Sequence, residues 1–178
     1  GRVKVFGIAG YSGSGKTTLI EQLLPRLMRE GVTVSVIKHA HHRFDVDQPG
    51  KDSHRHRQAG AHEVLVTSAQ RWALMHELRD DPEPTLEQLL AKLAPCDLVL
   101  VEGFKRESID KLEVHRRVVG KPLLCDTDRS IVALASDEPA AFTAVAASRP
   151  PLMLLDIDRP DEVVSFILKA TGLSEGRP

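Results

Sequence analysis

Two cysteines, Cys96 and Cys125, are all that the 178 residues contain. They are too few and too isolated for a disulfide framework or a paired-cysteine zinc site, which fits a reducing cytosol. Net charge is almost absent as well, −1 at pH 7. No global field draws the chain to nucleic acid or membrane, so any electrostatic function must be local. No apolar run approaches the roughly 20 residues of a membrane span, and the first residues carry no basic-then-apolar leader pattern. No internal repeat is found. These absences predict a cytoplasmic protein with neither nucleic acid nor membrane among its partners. What is present, 42% hydrophobic and 28% charged residues, suits one domain spanning residues 1–178 with a sizeable core.

Short β-branched runs alternate with amphipathic helical patterns. Strand candidates are 3–8, 32–37, 63–67, 97–103, 130–135 and 152–157, several of them apolar without a break, as parallel strands buried on both faces are. Leu19, Ile20, Leu23, Leu24, Leu27 and Met28 fall on one helical face, with Gly31 at the expected stop and Pro25 expected to bend the helix. Thr85 and Gln88 have capping-box spacing, and Pro160 and Gly172 bracket a last helix. The run 111–116, KLEVHR, alternates and reads as an antiparallel or edge strand. The whole pattern predicts an α/β fold: an open, mostly parallel sheet with helices on both faces. Residues 39–60 form its one long irregular loop.

Gly10 to Thr17, GYSGSGKT, follows a predicted strand and precedes a predicted helix. It satisfies the phosphate-loop pattern in the context that gives the pattern meaning, so the expected sheet is P-loop NTPase-like. Glycines permit turns that aim successive backbone N–H groups inward, the helix start adds its positive end, and Lys16 supplies an ammonium for β and γ phosphates. Thr17 is placed to ligate magnesium. Such a cradle needs an acid at the end of a neighbouring buried strand. Glu102, after four apolar residues and before Gly103, emerges at the C-terminal sheet edge, where ligands of this fold class sit. Asp97 begins the same strand and belongs at the opposite edge.

Residues 38–62 contain six of the eight histidines. Three readings compete: a metal site built from His39, His41 and His42, a plain solvated loop, and an anion-binding switch. In the last, Lys38, Lys51, Arg55 and Arg57 meet a second phosphate-bearing ligand while Asp45, Asp47 or Asp52 approaches the magnesium shell. Lys38 and His39 come straight off a strand. Asp52 and Ser53 become a cap if a helix starts there, in which case Arg55 and Arg57 cannot share one face.

The segments GYSGSGKTTL, VIKHAHHRFDVDQPGKDSHRHRQAGA, DLVLVEGFK and KLEVHR, in that order over residues 3–116, resemble the MobB family, the GTP-binding adaptors of molybdopterin guanine dinucleotide biosynthesis. The resemblance implies a homodimer that binds GTP and magnesium, hydrolyses GTP slowly at most, and assists the guanylyltransferase that joins GMP to molybdopterin, with molybdopterin itself a further partner. On that reading Lys16 and the loop residues Gly13, Ser14, Gly15, Thr17 and Thr18 hold the triphosphate, and Thr17 and Glu102 hold magnesium. Lys38, His39, Asp45, Asp52, Ser53, Arg55 and Arg57 form the second-ligand or switch loop.

No residue is identified as orienting an attacking water, and no [NT]KxD motif occurs to read guanine. Asp137, ending the run ALASD, is the candidate guanine reader, with the segment 126–129, DTDR, as competitor. Two other functions share the phosphate loop. A small-molecule kinase or ATP-dependent ligase would place its acceptor in loop 39–60, and a metallochaperone GTPase would use the histidines.

Overall fold

The computed structural model describes residues 2–40 and 44–174. His41 and His42, two of the candidate metal ligands, lie outside the described residues. The chain opens with β1 (Lys4–Ala9), α1 (Lys16–Arg29) and β2 (Val34–Lys38), followed by α2 (Asp52–Gln58), β3 (Glu63–Thr67) and β4 (Trp72–His76). Next come α3 (Leu86–Leu90), β5 (Leu98–Glu102), β6 (Lys111–His115) and β7 (Ile131–Ser136). Then α4 (Thr143–Ser148), β8 (Met153–Asp156) and α5 (Pro160–Thr171) complete it. By contacts the residues fall into two compact units, one of 1–39 with 89–178 and one of 40–88.

The larger unit is a six-stranded sheet in the order β2-β5-β1-β6-β7-β8, every pair parallel. β5 is buried along its whole length, as its unbroken apolar run requires. On one face, Leu19, Leu23 and Leu27 of α1 and Val163, Ile167 and Leu168 of α5 close over Phe6, Ile8, Leu98, Leu100 and Leu112, and the Phe6 and Phe166 rings meet edge to face at 6.3 Å. α1 continues through Pro25. On the other face, Cys125, Ile131, Leu134 and Leu152 form a second cluster with Phe142 and Val145 of the α4 region. No helix among the described residues is long and apolar enough to cross a membrane.

β6 corrects the edge-strand expectation. It lies inside the sheet between β1 and β7, parallel to both, with all five residues buried. Two of its buried polar side chains, Lys111 and Glu113, are hydrogen-bonded within the protein. Lys111 Nζ donates to the carbonyl of Glu107, to Ser130 Oγ at 2.7 Å and to Asp128 Oδ2 at 3.3 Å. Gly7 leaves room for the lysine stem, since a Cβ there would stand 2.6 Å from Lys111 Cγ. The Glu113 carboxylate accepts the backbone N–H groups of Leu124 and Cys125 at 2.8 and 2.9 Å. The His115 ring meets Phe142 at 5.3 Å.

The antiparallel pair is elsewhere, in the smaller unit. There β3, expected among the parallel strands, pairs with β4 as a two-stranded hairpin. Residues 68–71 join the two strands, and Ser68 Oγ accepts the N–H groups of Gln70 and Arg71. So short a connection admits only the antiparallel arrangement. The predicted capping box is present: Thr85 N–H donates to Gln88 Oε1 at 2.9 Å and Gln88 N–H to Thr85 Oγ1 at 3.2 Å.

Candidate functional site

β1 ends at the centre of the sheet and the chain turns at once into α1, so residues 10–15 cross the C-terminal edge of the sheet. Gly15, at φ 96°, makes the last turn and caps α1 without any side-chain hydrogen bond. The first-turn N–H groups of Lys16, Thr17 and Thr18 therefore have no intrahelical acceptors, an array suited to an anion. Ser14 is buried, and its Oγ has no partner in the loop.

Lys16 Nζ donates to the Gly10 carbonyl at 2.7 Å, folded back over the loop. Its pKa is lowered, first by burial and further by Lys105 and Lys38, while Glu102 opposes the shift. Lys16, Lys38, Lys105 and Glu102 thus share one electrostatic neighbourhood, with three cations and one acid. Glu102 is 8% exposed at the end of β5, in register with Ile8 on β1 and with Lys38 on β2. Its carbonyl accepts the His39 N–H at 2.9 Å, and the His39 ring rests 5.0 Å from Phe104, a residue at φ 53°. Thr17 and Glu102 offer hydroxyl and carboxylate oxygens, the donors that a hard divalent cation takes. Asp97 is at the far edge, accepting from Thr33 N–H and Oγ1.

The same edge carries Asp137, immediately after β7. Its Oδ1 faces the Arg117 N–H at 3.3 Å and Ser136 Oγ at 3.4 Å. The competitor segment 126–129 precedes β7, and in a parallel sheet that end lies at the edge opposite the phosphate loop. Asp128 there serves Lys111 and Ser130.

The remaining candidates divide between the units. Lys38 and His39 belong with the phosphate loop, whereas Asp45, Asp52, Ser53, Arg55 and Arg57 belong to the smaller unit. A helix begins at Asp52, so Arg55 and Arg57 diverge: Arg55 is exposed, and Arg57 keeps only 10% of its side chain exposed. The Arg57 guanidinium is not an open cation. It pairs with Asp45 at 2.9 Å, Asp47 at 2.5 Å and Glu77 at 2.6 Å, which raises its pKa, while Asp47 is held below the usual carboxylate range by the same bonds. Asp45 and Arg57 are thereby engaged with each other, a pairing that spacing alone did not suggest.

One residue at the site was missed by sequence reasoning. Arg116, just after β6, lies so close to the phosphate loop that a Cβ on Gly15 would stand 2.9 Å from its Nε. The only local signal was a basic residue at the C-terminal end of a strand.

Residues 5–137 match the family described as molybdopterin guanine dinucleotide synthesis protein B. The chain belongs to the MobB family. It is 42% identical to the molybdopterin-guanine dinucleotide biosynthesis adapter protein of Haemophilus influenzae, over 93% of this chain and 88% of that one. To the adapter protein of the same description in Escherichia coli it is 40% identical, over 94% and 93%. A crystal structure of molybdopterin-guanine biosynthesis protein B superposes with a TM-score of 0.71 at 26% identity, covering 93% of this chain and 99% of that one. Within the MobB family match fall the phosphate loop, Glu102, Arg116 and Asp137; α4, β8 and α5 lie beyond it.

Proposed function

We propose that this MobB family member is a GTP-binding adapter that assists the guanylyltransferase attaching GMP to molybdopterin, with slow GTP hydrolysis at most. The observation that carries the reading is the phosphate loop itself: unpartnered N–H groups, Lys16 and a buried Glu102 meeting at one sheet edge. Gly13, Ser14, Gly15, Lys16, Thr17 and Thr18 enclose the phosphates. Thr17 and Glu102 would hold magnesium, which supplies charge neutralisation between β and γ phosphates. Asp137 is the proposed reader of guanine N1 and N2. Lys38 and His39, in the same unit as the phosphate loop, are proposed to face an anionic pterin; in the smaller unit Asp52 and Ser53 begin the helix that carries Arg55, which is proposed by itself to face the partner enzyme.

A cytoplasmic homodimer is part of the proposal, the cytoplasm supported by two free cysteines and the dimer by Leu65, Trp72 and Leu74 exposed on the hairpin. The test is calorimetric titration of GTP and ATP with and without magnesium, followed by addition of molybdopterin and the guanylyltransferase. GTP preference and stimulated transfer of GMP are expected. Equal affinity for ATP with a phosphorylated small-molecule product would favour a kinase instead.

A further inference from the structure

Arg116 stands against the phosphate loop, and neither the phosphate cradle nor the magnesium pair gives it a role. The residue is half-buried, its guanidinium packs on Gly15, with Nη2 3.4 Å and Nε 2.9 Å from the position of a Cβ there, and no carboxylate pairs with it among the described residues. Its neighbour differs: Arg117 pairs with Glu138 and donates its backbone N–H to Asp137.

A partly desolvated guanidinium without a counter-ion is unfavourable, and the surroundings of Arg116 make it more so. Gly15 precedes the positive end of α1. An anion seated at this helix start would give the guanidinium the counter-charge it lacks.

Strand order says which part of an anion Arg116 meets. Across the C-terminal edge stand Glu102 ending β5, the phosphate loop after β1, Arg116 after β6 and Asp137 after β7. With metal and terminal phosphates on the Glu102 flank and the base on the Asp137 flank, the position between loop and base belongs to the α phosphate. We propose that Arg116 is a nucleotide-binding residue whose guanidinium holds the α phosphate, a contact made equally by di- and triphosphates; this rests on the nucleotide reading given above. The planar fork of arginine suits two oxygens of one phosphate, which a lysine ammonium cannot reproduce.

The experiment titrates the full chain with GTP and with GDP, each in magnesium and in EDTA. Arg116→Ala is expected to weaken both nucleotides by a similar factor, roughly 10- to 100-fold, in both conditions, and Arg116→Lys to recover part of the loss. A loss confined to GTP would put the guanidinium at the terminal phosphate, and an affinity within about twofold of the parent would reduce Arg116 to packing; either result overturns the assignment. If Arg116→Ala does not fold, Arg116→Gln and Arg116→Lys keep the stem on Gly15 and carry the same comparison. A parent protein that binds neither nucleotide refutes the reading of the site itself, and is distinguishable from a parent that binds while the variants do not differ.

Discussion

Lys16 is the side chain in which position and charge pull in different directions. Its ammonium is held by the Gly10 carbonyl, yet burial and the neighbouring Lys105 and Lys38 lower its pKa against the opposing pull of Glu102. A lysine whose folded pKa lies below 10.5 binds its proton more tightly in the unfolded chain. Its charge therefore costs stability at neutral pH, and the cost fades as pH rises from the folded value toward 10.5. Lys16→Ala is accordingly expected to melt at or slightly above the parent temperature at pH 7, while GTP affinity falls by about 100-fold. Paired calorimetric titrations and thermal melts check both halves; undiminished GTP binding would remove the phosphate-loop assignment. Lys16 was legible because its motif is contiguous. Arg116 was not, because its closeness to Gly15 depends on β1 and β6 being neighbours, which no local pattern encodes.

Among the elements, β6 and the smaller unit teach the same lesson from opposite sides. KLEVH alternates polar and apolar residues as a half-solvated strand does, yet it is central, because period-two polarity records which face carries polar atoms and not whether water reaches them. The Glu113 carboxylate, raised in pKa by burial and partly offset by two N–H donors, holds the Leu124 and Cys125 backbone against β6. Glu113→Leu would orphan both buried N–H groups, so a loss of roughly 2–6 kcal/mol is expected in urea unfolding; a change under about 1 kcal/mol would mean the segment finds other acceptors. EVLVT, by contrast, reads as a buried strand and proves to be half of an exposed hairpin. The short α2, with no buried residue, is anchored by Arg57 and three carboxylates distant in sequence. Asp47 has a lowered pKa caused first by Arg57, so its contribution is present above the ordinary 3.8 and is lost as pH falls through the folded value. In Arg57→Ala the largest part of that contribution is gone, leaving what the Ser53 side chain and the backbone supply. Amide exchange across 45–77 should then be faster at pH 7 while β1 and β5 stay protected, and Arg57→Lys should not restore it, since an ammonium lacks the fork that reaches three acids.

At the scale of the molecule, strand and helix alternation made the α/β class legible, whereas the order β2-β5-β1-β6-β7-β8 is a long-range property. The surface of the smaller unit was likewise hidden from the sequence, because apolar residues in a strand read as core. Leu65 and Leu74 are cross-strand partners, 57% and 49% exposed, and Trp72 opposite Thr67 is 67% exposed. Period-two geometry puts all three on one face of the hairpin, a contiguous apolar patch of the kind that marks a protein contact. A two-stranded hairpin is marginal alone, and a second copy of the same face would cover it symmetrically, as two-fold dimers do. The full chain is therefore expected to sediment at about twice its 19.6 kDa. Replacing both leucines, Leu65→Glu with Leu74→Glu, sets like charges opposite each other across the pair and across any two-fold contact. The expected result is a folded monomer whose GTP affinity stays within about twofold of the parent, since the phosphate loop belongs to the other unit. Sedimentation equilibrium reads the mass, and circular dichroism confirms the fold. A variant that remains dimeric would show that the copies meet through another face, and a parent that sediments at the monomer mass would refute the dimer outright.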